Sequence, residues 1–278
     1  MRDAVVVAVA ATVAVVATVH YVRHHRGRSP DTYSPRAAWT RAAIYFSCCW
    51  IASVLAGTFD RIVEEPFATA DQLADGGWWA WTAASLAVIV AGYPVVWARW
   101  TLTFDRPSRP LPQALFGLVW GSATGQLLAT AFVLAERTGW PRWGVWLLAW
   151  ALVGMWQGGF QDLFWDVYVT PEHDTPTTIT RKVLVAHVPN VTVTLTHLVL
   201  HGNVALFVAL QCLALVSASV AMRLPVFWET RPVRAATTGP GPFGLRRCVG
   251  YQTDDPHPYL TQRLARRAAR TTGAPAAP

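Results

Sequence analysis

Charged residues are scarce in this chain: they make up 14% of its 278 residues, against 53% hydrophobic. A soluble globular domain carries about 25% charged residues, so an ordinary soluble domain is excluded. Cysteine is also sparse. There are four, Cys48, Cys49, Cys212 and Cys248, with no CxxC among them. The first two are adjacent, and Cys48, Cys49 and Cys212 fall in apolar runs. A disulfide framework does not fit that pattern, and the thiols read as small apolar packing residues. No self-similar period of about 20–50 residues occurs, which argues against a solenoid. No inverted half-repeat is visible, which counts against the common transporter architectures.

Long apolar runs and tryptophan are what the chain does have. Fifteen Trp are present, and several runs reach the roughly 20 residues that cross a bilayer. The expected fold class is all-α: a polytopic integral membrane helical bundle of seven spans, at about 4–22, 38–59, 78–98, 111–135, 143–168, 183–201 and 204–222. The first run is preceded by MRD and followed by RHHRGR, so it reads as a retained span rather than a signal peptide. Two domains are expected. Residues 1–222 form the membrane domain, and residues 223–278 form a basic, Pro/Gly-containing cytoplasmic tail, mostly disordered. Within the tail, Tyr259–Arg270 (YLTQRLARRAAR) reads either as a short surface helix or as solvated chain.

Basic residues orient the bundle. With the N-terminus outside and the C-terminus cytoplasmic, 19 of the 23 Lys+Arg lie on inner segments, and Arg2, Arg61, Arg137 and Arg142 do not. The net charge of +7 resides mostly in the tail. Basic charge beside a membrane points to contact with membrane lipids and not to nucleic acid. The expected location is the cell membrane. Trp78, Trp79, Trp81, Trp140, Trp143 and Trp146 at outer boundaries, and Trp97 and Trp100 at an inner one, read as interfacial anchors.

The most informative segment is KVLVAHVPNVTVTLTHLVLHGN, Lys182–Asn203. His187, Asn190, Thr194, His197 and His201 are spaced 3, 4, 3 and 4 apart. At about 100° per residue they share a face roughly 80° wide. In a membrane such a stripe must meet protein, water or ligand, since an unpaired polar group there is costly. Pro189, early in this span, and Pro94, late in span three, mark joints where a backbone donor is missing. The turn HGN predicts that spans six and seven pack antiparallel. In span four, Gly117, Gly121 and Gly125 read as a close-packing row. Ser122, Gln126 and Thr130 form a second row, read as packing or as the lining of a cavity facing span six.

A second polar cluster runs from Gln157 to Pro176, QGGFQDLFWDVYVTPEHDTP. Asp162 and Asp166 are four apart and share a helix face near the inner boundary. Glu172, His173 and Asp174 follow, then Arg181 and Lys182, then His187. Carboxylates in a membrane segment are functional hypotheses by default. Two carboxylates one turn apart can hold Mg²⁺ and through it a diphosphate, with Arg181 and Lys182 on the phosphates. QDLFWD resembles the aspartate-rich motifs of membrane prenyltransferases of the ubiquinone-biosynthesis type. The likeness ends at those residues, because that family carries two such motifs and about nine spans, and no second motif occurs here. Asp162, Asp166, His173 and His187 together would suit another divalent metal, although no E-x-x-H pair is present. A protonated Asp could instead start a cyclisation, with Trp156 and Trp165 stabilising cationic intermediates. Haem is disfavoured: His187 and His201 are 14 apart, but a second helix bearing two histidines is missing.

These residues lead to an expected function. The chain reads as an integral membrane enzyme acting on a hydrophobic lipid or isoprenoid substrate by prenyl, diphosphate or cyclisation chemistry. Asp162, Asp166 and His187 are the catalytic candidates. Asn190, Arg181, Lys182, Gln126, Trp156 and Trp165 are the substrate-binding candidates. The alternatives are a non-catalytic membrane subunit or assembly partner, with the stripe as a helix-packing seam, and a proton-coupled transporter. His197 and His201 have no charged partner in the sequence, so the inner half of the stripe is the stronger candidate.

Overall fold

The computed structural model describes residues 35–97, 102–103, 109–156, 183–221 and 248–249. These are almost entirely helical. In chain order they form α1 (Pro35–Leu55), α2 (Thr58–Glu64), α3 (Ala70–Ala74), α4 (Gly76–Val90), α5 (Pro110–Glu136), α6 (Arg142–Trp156), α7 (Val188–His201) and α8 (Val204–Ala221). A π-helical segment, Ala91–Trp97, extends α4, and another, Val183–His187, leads into α7. Leu102–Thr103 and Cys248–Val249 make a two-residue parallel pairing. Among the described residues, three helices are long and apolar enough to cross a membrane: Gly76–Trp97, Pro110–Glu136 and Val204–Ala221. The bent pair α1–α2 makes a fourth if it is one span. The span expected at 4–22 lies outside the described residues, as do the later part of the span at 143–168 and the tail apart from Cys248–Val249.

The glycine row of α5 makes it the central helix. Of its most apolar window, 78% is buried inside the protein, and α8 is its main neighbour. A Cβ at Gly117 would lie 2.5 Å from Val216 Cα, one at Gly121 2.6 Å from Cys212 Cα, and one at Gly125 3.1 Å from Val208 Cα. Hydrogen in place of a side chain thus lets the α8 backbone, at residues four apart, rest directly on α5. Lipid tails are as apolar as Leu, so membrane helices associate through such close contact rather than through the hydrophobic effect. Leu128, Phe132, Val145, Val153, Leu195, Leu198 and Phe207 knit α5, α6, α7 and α8 into one core. Outward-facing Leu86, Val90, Leu115, Leu118, Leu147 and Leu213 are exposed, as a lipid-facing surface requires.

The expected span at 38–59 is broken. After Leu55 the chain bends by 82° into α2. Gly57 makes this possible by adopting φ +68°, a region closed to most side chains. The guanidinium of Arg137 donates to the Ala56 carbonyl, which the helix end would otherwise leave without a partner. Arg61 on α2 then donates to Glu65 and Glu136, each at 2.6 Å, and to the Gly202 carbonyl at 3.4 Å. Burial alone would lower the Arg61 pKa, but its bonds to Glu65 and Glu136 outweigh that and raise it.

This same end carries the turn between α7 and α8. Gly202 closes α7 at φ +76°, as HGN implied. Gln72 Nε2 donates to the His201 carbonyl at 2.9 Å, Asn203 Nδ2 to Gln72 Oε1 at 2.9 Å, and Trp78 Nε1 to Asn203 Oδ1 at 3.0 Å. Helices α7 and α8 do touch, but α7 packs mainly on α4, and α8 mainly on α5.

Not every tryptophan is an interfacial anchor. Trp79, Trp140 and Trp143 are exposed, at 51%, 56% and 69%. Trp78 and Trp97 are buried, at 4% and 5%, which corrects the anchor reading for both. Trp146 and Trp150, one turn apart on α6, donate to Thr196 and Thr192 on α7 at 3.0 and 3.3 Å. An indole in an apolar seam needs a partner for its N–H, and the two Thr, also one turn apart, supply it. Trp146→Phe should therefore destabilise the detergent-purified protein by about 0.5–1.5 kcal/mol. Adding Thr196→Val to it should cost less than Thr196→Val alone, and additive losses would disprove the pairing.

Candidate functional site

The two proline-associated segments meet. Pro94 cannot donate to the helical ladder, and the turn around it widens to π geometry over Ala91–Trp97. A second π segment, Val183–His187, precedes Pro189. They face each other at Gly92, where a Cβ would lie 3.3 Å from Ala186 Cα. That close approach brings Tyr93 and Trp97 beside His187. The imidazole is T-shaped to Trp97, with ring centroids 4.0 Å apart, and to Tyr93 at 5.6 Å. Its Nδ1 is 3.0 Å from the Tyr93 hydroxyl.

A buried polar chain runs from this contact through three helices. Asn190 Nδ2 donates to the Tyr93 hydroxyl and to Gln211 Oε1, both at 3.1 Å. Gln211 Nε2 donates to Thr194 Oγ1 at 3.1 Å, and Thr194 donates to the Asn190 carbonyl at 2.7 Å. Asn190 and Thr194 are 0% exposed and Gln211 is 1% exposed. Because the Tyr93 oxygen already accepts from Asn190, its own proton is best placed on His187 Nδ1. That puts the imidazole N–H on Nε2. Asn190 has both amide hydrogens engaged, while its Oδ1 has no hydrogen-bond partner among the described residues. It sits one layer behind His187 and orients Tyr93.

The half of the stripe nearer the Gly202 turn behaves differently. His197 is 3% exposed, and its Nε2 has no hydrogen-bond partner among the described residues. Its ring rests edge-on against Trp78 at 5.9 Å and His201 at 5.2 Å. It is packed among aromatics rather than hydrogen-bonded into the chain.

Gln126 is buried in α5, and its Oε1 has no partner among the described residues. Thr130 of the same row reaches Thr58 on α2 at 3.2 Å, so this end of the row faces α2 and not α7. Ser122 bonds back to the Val119 carbonyl of its own helix, at 2.9 Å. Asp162, Trp165, Asp166, His173, Arg181 and Lys182 lie outside the described residues, and Trp156 is the last residue of α6. Among the described residues, no group of three or more His, Cys, Asp or Glu is placed to hold a metal.

Sequence reasoning missed Tyr93, Trp97 and Gln211. Two signals were present. Tyr93 directly precedes Pro94, and Gln211 is the one amide in VALFVALQCLALVSASVA. The hydrogen-bond partners of both, Asn190 for Tyr93 and Asn190 and Thr194 for Gln211, lie on another helix, so neither stood out. No family model, curated protein or solved structure matches the chain.

Proposed function

We propose that this chain is an integral membrane enzyme of seven spans, N-terminus outside, acting on a hydrophobic lipid or isoprenoid substrate at the cytoplasmic side of the cell membrane. The observation that carries the reading is the seat of His187. Its imidazole is only partly buried, its Nδ1 meets Tyr93, and it stands where two π-helical segments converge. π segments recur at functional sites because they displace side chains from regular helical positions. A histidine serving only as packing needs no such oriented partner.

In this reading His187 is the base or a ligand, held by Tyr93 and, behind it, Asn190. Asp162 and Asp166 are the general acids or metal ligands, and Arg181 and Lys182 receive an anionic head group. Asp162, Asp166, His173 and His187 would hold Mg²⁺ or another divalent ion, whose chemistry would be to neutralise a diphosphate or polarise a leaving group. In an acid-catalysed variant, a protonated Asp would donate its proton to an alkene, and Trp156 and Trp165 would stabilise the resulting cation.

The test compares the lipids of cells expressing the wild-type chain with those expressing Asp162→Ala, His187→Ala or both. A lipid product present with wild type and absent with each variant is expected. Metal analysis of the purified protein should show bound divalent ion that Asp162→Ala removes without altering the melting temperature. Identical lipid profiles, with no bound metal, would falsify the enzyme reading. A Soret band in the visible spectrum would replace it with a haem protein.

A second reading is favoured by one specific observation. Asn190, Thr194 and Gln211 hydrogen-bond to one another inside the bundle, as residues that only glue helices do. This fits a non-catalytic membrane subunit. Unchanged lipid profiles combined with co-purification of a membrane partner would select it.

A further inference from the structure

At the end that carries the Gly202 turn, a cavity of ≈ 380 Å³ opens to the surface between α5, α6 and α7. Its apolar wall includes Val145 from α6 and Val199 and Leu200 from α7, and Glu136 and Arg142 also line it. Their charges are not equivalent. Arg61 serves both Glu65 and Glu136, so one guanidinium faces two carboxylates and this triad is net negative. Glu136 is its member in the cavity, with its side chain 41% exposed. Arg142 has no hydrogen-bond or ion-pair partner among the described residues, and it is exposed. The cavity therefore presents an uncompensated cation and an accessible acceptor of negative character. Trp140, which is exposed, also lines it, and exposed tryptophans at a bundle end belong at the headgroup level.

We propose that this cavity binds a membrane phospholipid with a zwitterionic headgroup bearing a primary ammonium, of the phosphoethanolamine type. The phosphate pairs with Arg142, whose planar fork suits it. The ammonium donates to Glu136. The first methylenes of the chains lie along Val145, Val199 and Leu200. The volume suits a headgroup and glycerol rather than a whole lipid. An anionic lipid without an amine leaves Glu136 facing unrelieved negative charge. A quaternary ammonium cannot donate a hydrogen bond to it. The proposal is independent of the enzyme reading, because it uses the opposite end of the bundle from His187.

The test is native mass spectrometry of the full chain, delipidated in detergent and titrated separately with phosphatidylethanolamine, phosphatidylcholine and phosphatidylglycerol. Phosphatidylethanolamine should bind about tenfold more tightly than either other lipid, the scale of one well-formed charged contact. Arg142→Gln should remove most binding of all three. Glu136→Gln should erase the preference over both phosphatidylcholine and phosphatidylglycerol. Val199→Trp, which fills the cavity, should abolish binding without reference to charge. Equal binding of the three lipids, tighter binding of phosphatidylglycerol, or binding untouched by Arg142→Gln overturns the proposal. Were the variants to fail to fold, the ranking of the three lipids on the wild-type chain decides alone.

Discussion

Adding one methyl group at Gly117 is expected to lower the melting temperature of the detergent-purified protein by roughly 10 °C or more. The new Cβ would sit 2.5 Å from Val216 Cα and 2.6 Å from the Leu215 carbonyl oxygen. Both are backbone atoms, so no side-chain rotation relieves the overlap and α8 itself must move. Overpacking a core typically costs about 1–3 kcal/mol, and a clash with backbone belongs at or above the top of that range. Gly121→Ala should be comparably severe, at 2.6 Å from Cys212 Cα. Gly125→Ala, at 3.1 Å from Val208 Cα, should be milder. Gly76→Ala is the control, with nothing within 4 Å of its Cβ. The measurement is thermal melting of the four variants in one detergent. If all four melt alike, α5 and α8 do not meet through this row.

The second large effect concerns the buried amides. Asn190→Leu leaves Gln211 Oε1 and the Tyr93 hydroxyl without a donor, and Gln211→Leu leaves Asn190 and Thr194 short in turn. Inter-helix hydrogen bonds in membranes contribute on average about 0.6 kcal/mol and at most about 1.7, while an orphaned buried group costs about 1–3 kcal/mol. Each single substitution should therefore destabilise by roughly 1–3 kcal/mol. The double variant should lose clearly less than the sum, because the second change removes the group that the first one orphaned. Strict additivity in an unfolding titration would mean that the two amides do not share a bond. Asn190→Leu has a further consequence under the proposed function. Tyr93 loses the donor that directs its proton to His187, so activity should fall further than the stability loss accounts for. Tyr93→Phe should reproduce that fall with a smaller change in stability.

The polar stripe was legible because its physics is local. A 3-4-3-4 spacing fixes one face of one helix whatever surrounds it. The glycine row was legible for the same reason. The partners of both were not. Nothing in AGYPVVW says that Tyr93 reaches His187, since the two are 94 positions apart. Their contact depends on two π segments being apposed at Gly92 and Ala186. The Thr192 and Thr196 face of α7 was overlooked as well. Its meaning comes only from Trp146 and Trp150 on a helix that sequence places 50 and 42 residues away.

Tryptophan shows the limit most clearly. A Trp at the end of an apolar run is an anchor if its helix end faces lipid headgroups, and a core residue if another helix covers it. Composition and position are identical in the two cases. Trp79 and Trp143 proved exposed, whereas Trp78 and Trp97 are enclosed by α7 and by the π segments. The break at Gly57 follows the same logic. A glycine late in an apolar run permits a bend without requiring one. The bend is held by Arg137 on the Ala56 carbonyl and by Arg61 on Glu136, both contacts with α5 or its end.

Sequence by itself determined the all-helical class, the apolar helices, the tight Gly202 turn and the face on which the polar stripe lies. Each follows from composition, periodicity or a single residue's backbone freedom, and those act over a few neighbouring positions. Tertiary structure decided which groups the stripe meets. His187 is given to Tyr93 and Trp97, Asn190 and Thr194 to Gln211, and His197 to an aromatic niche without a hydrogen bond on Nε2 among the described residues. A buried polar group is defined by its partner, and Tyr93, Asn190 and Gln211 find theirs on other helices.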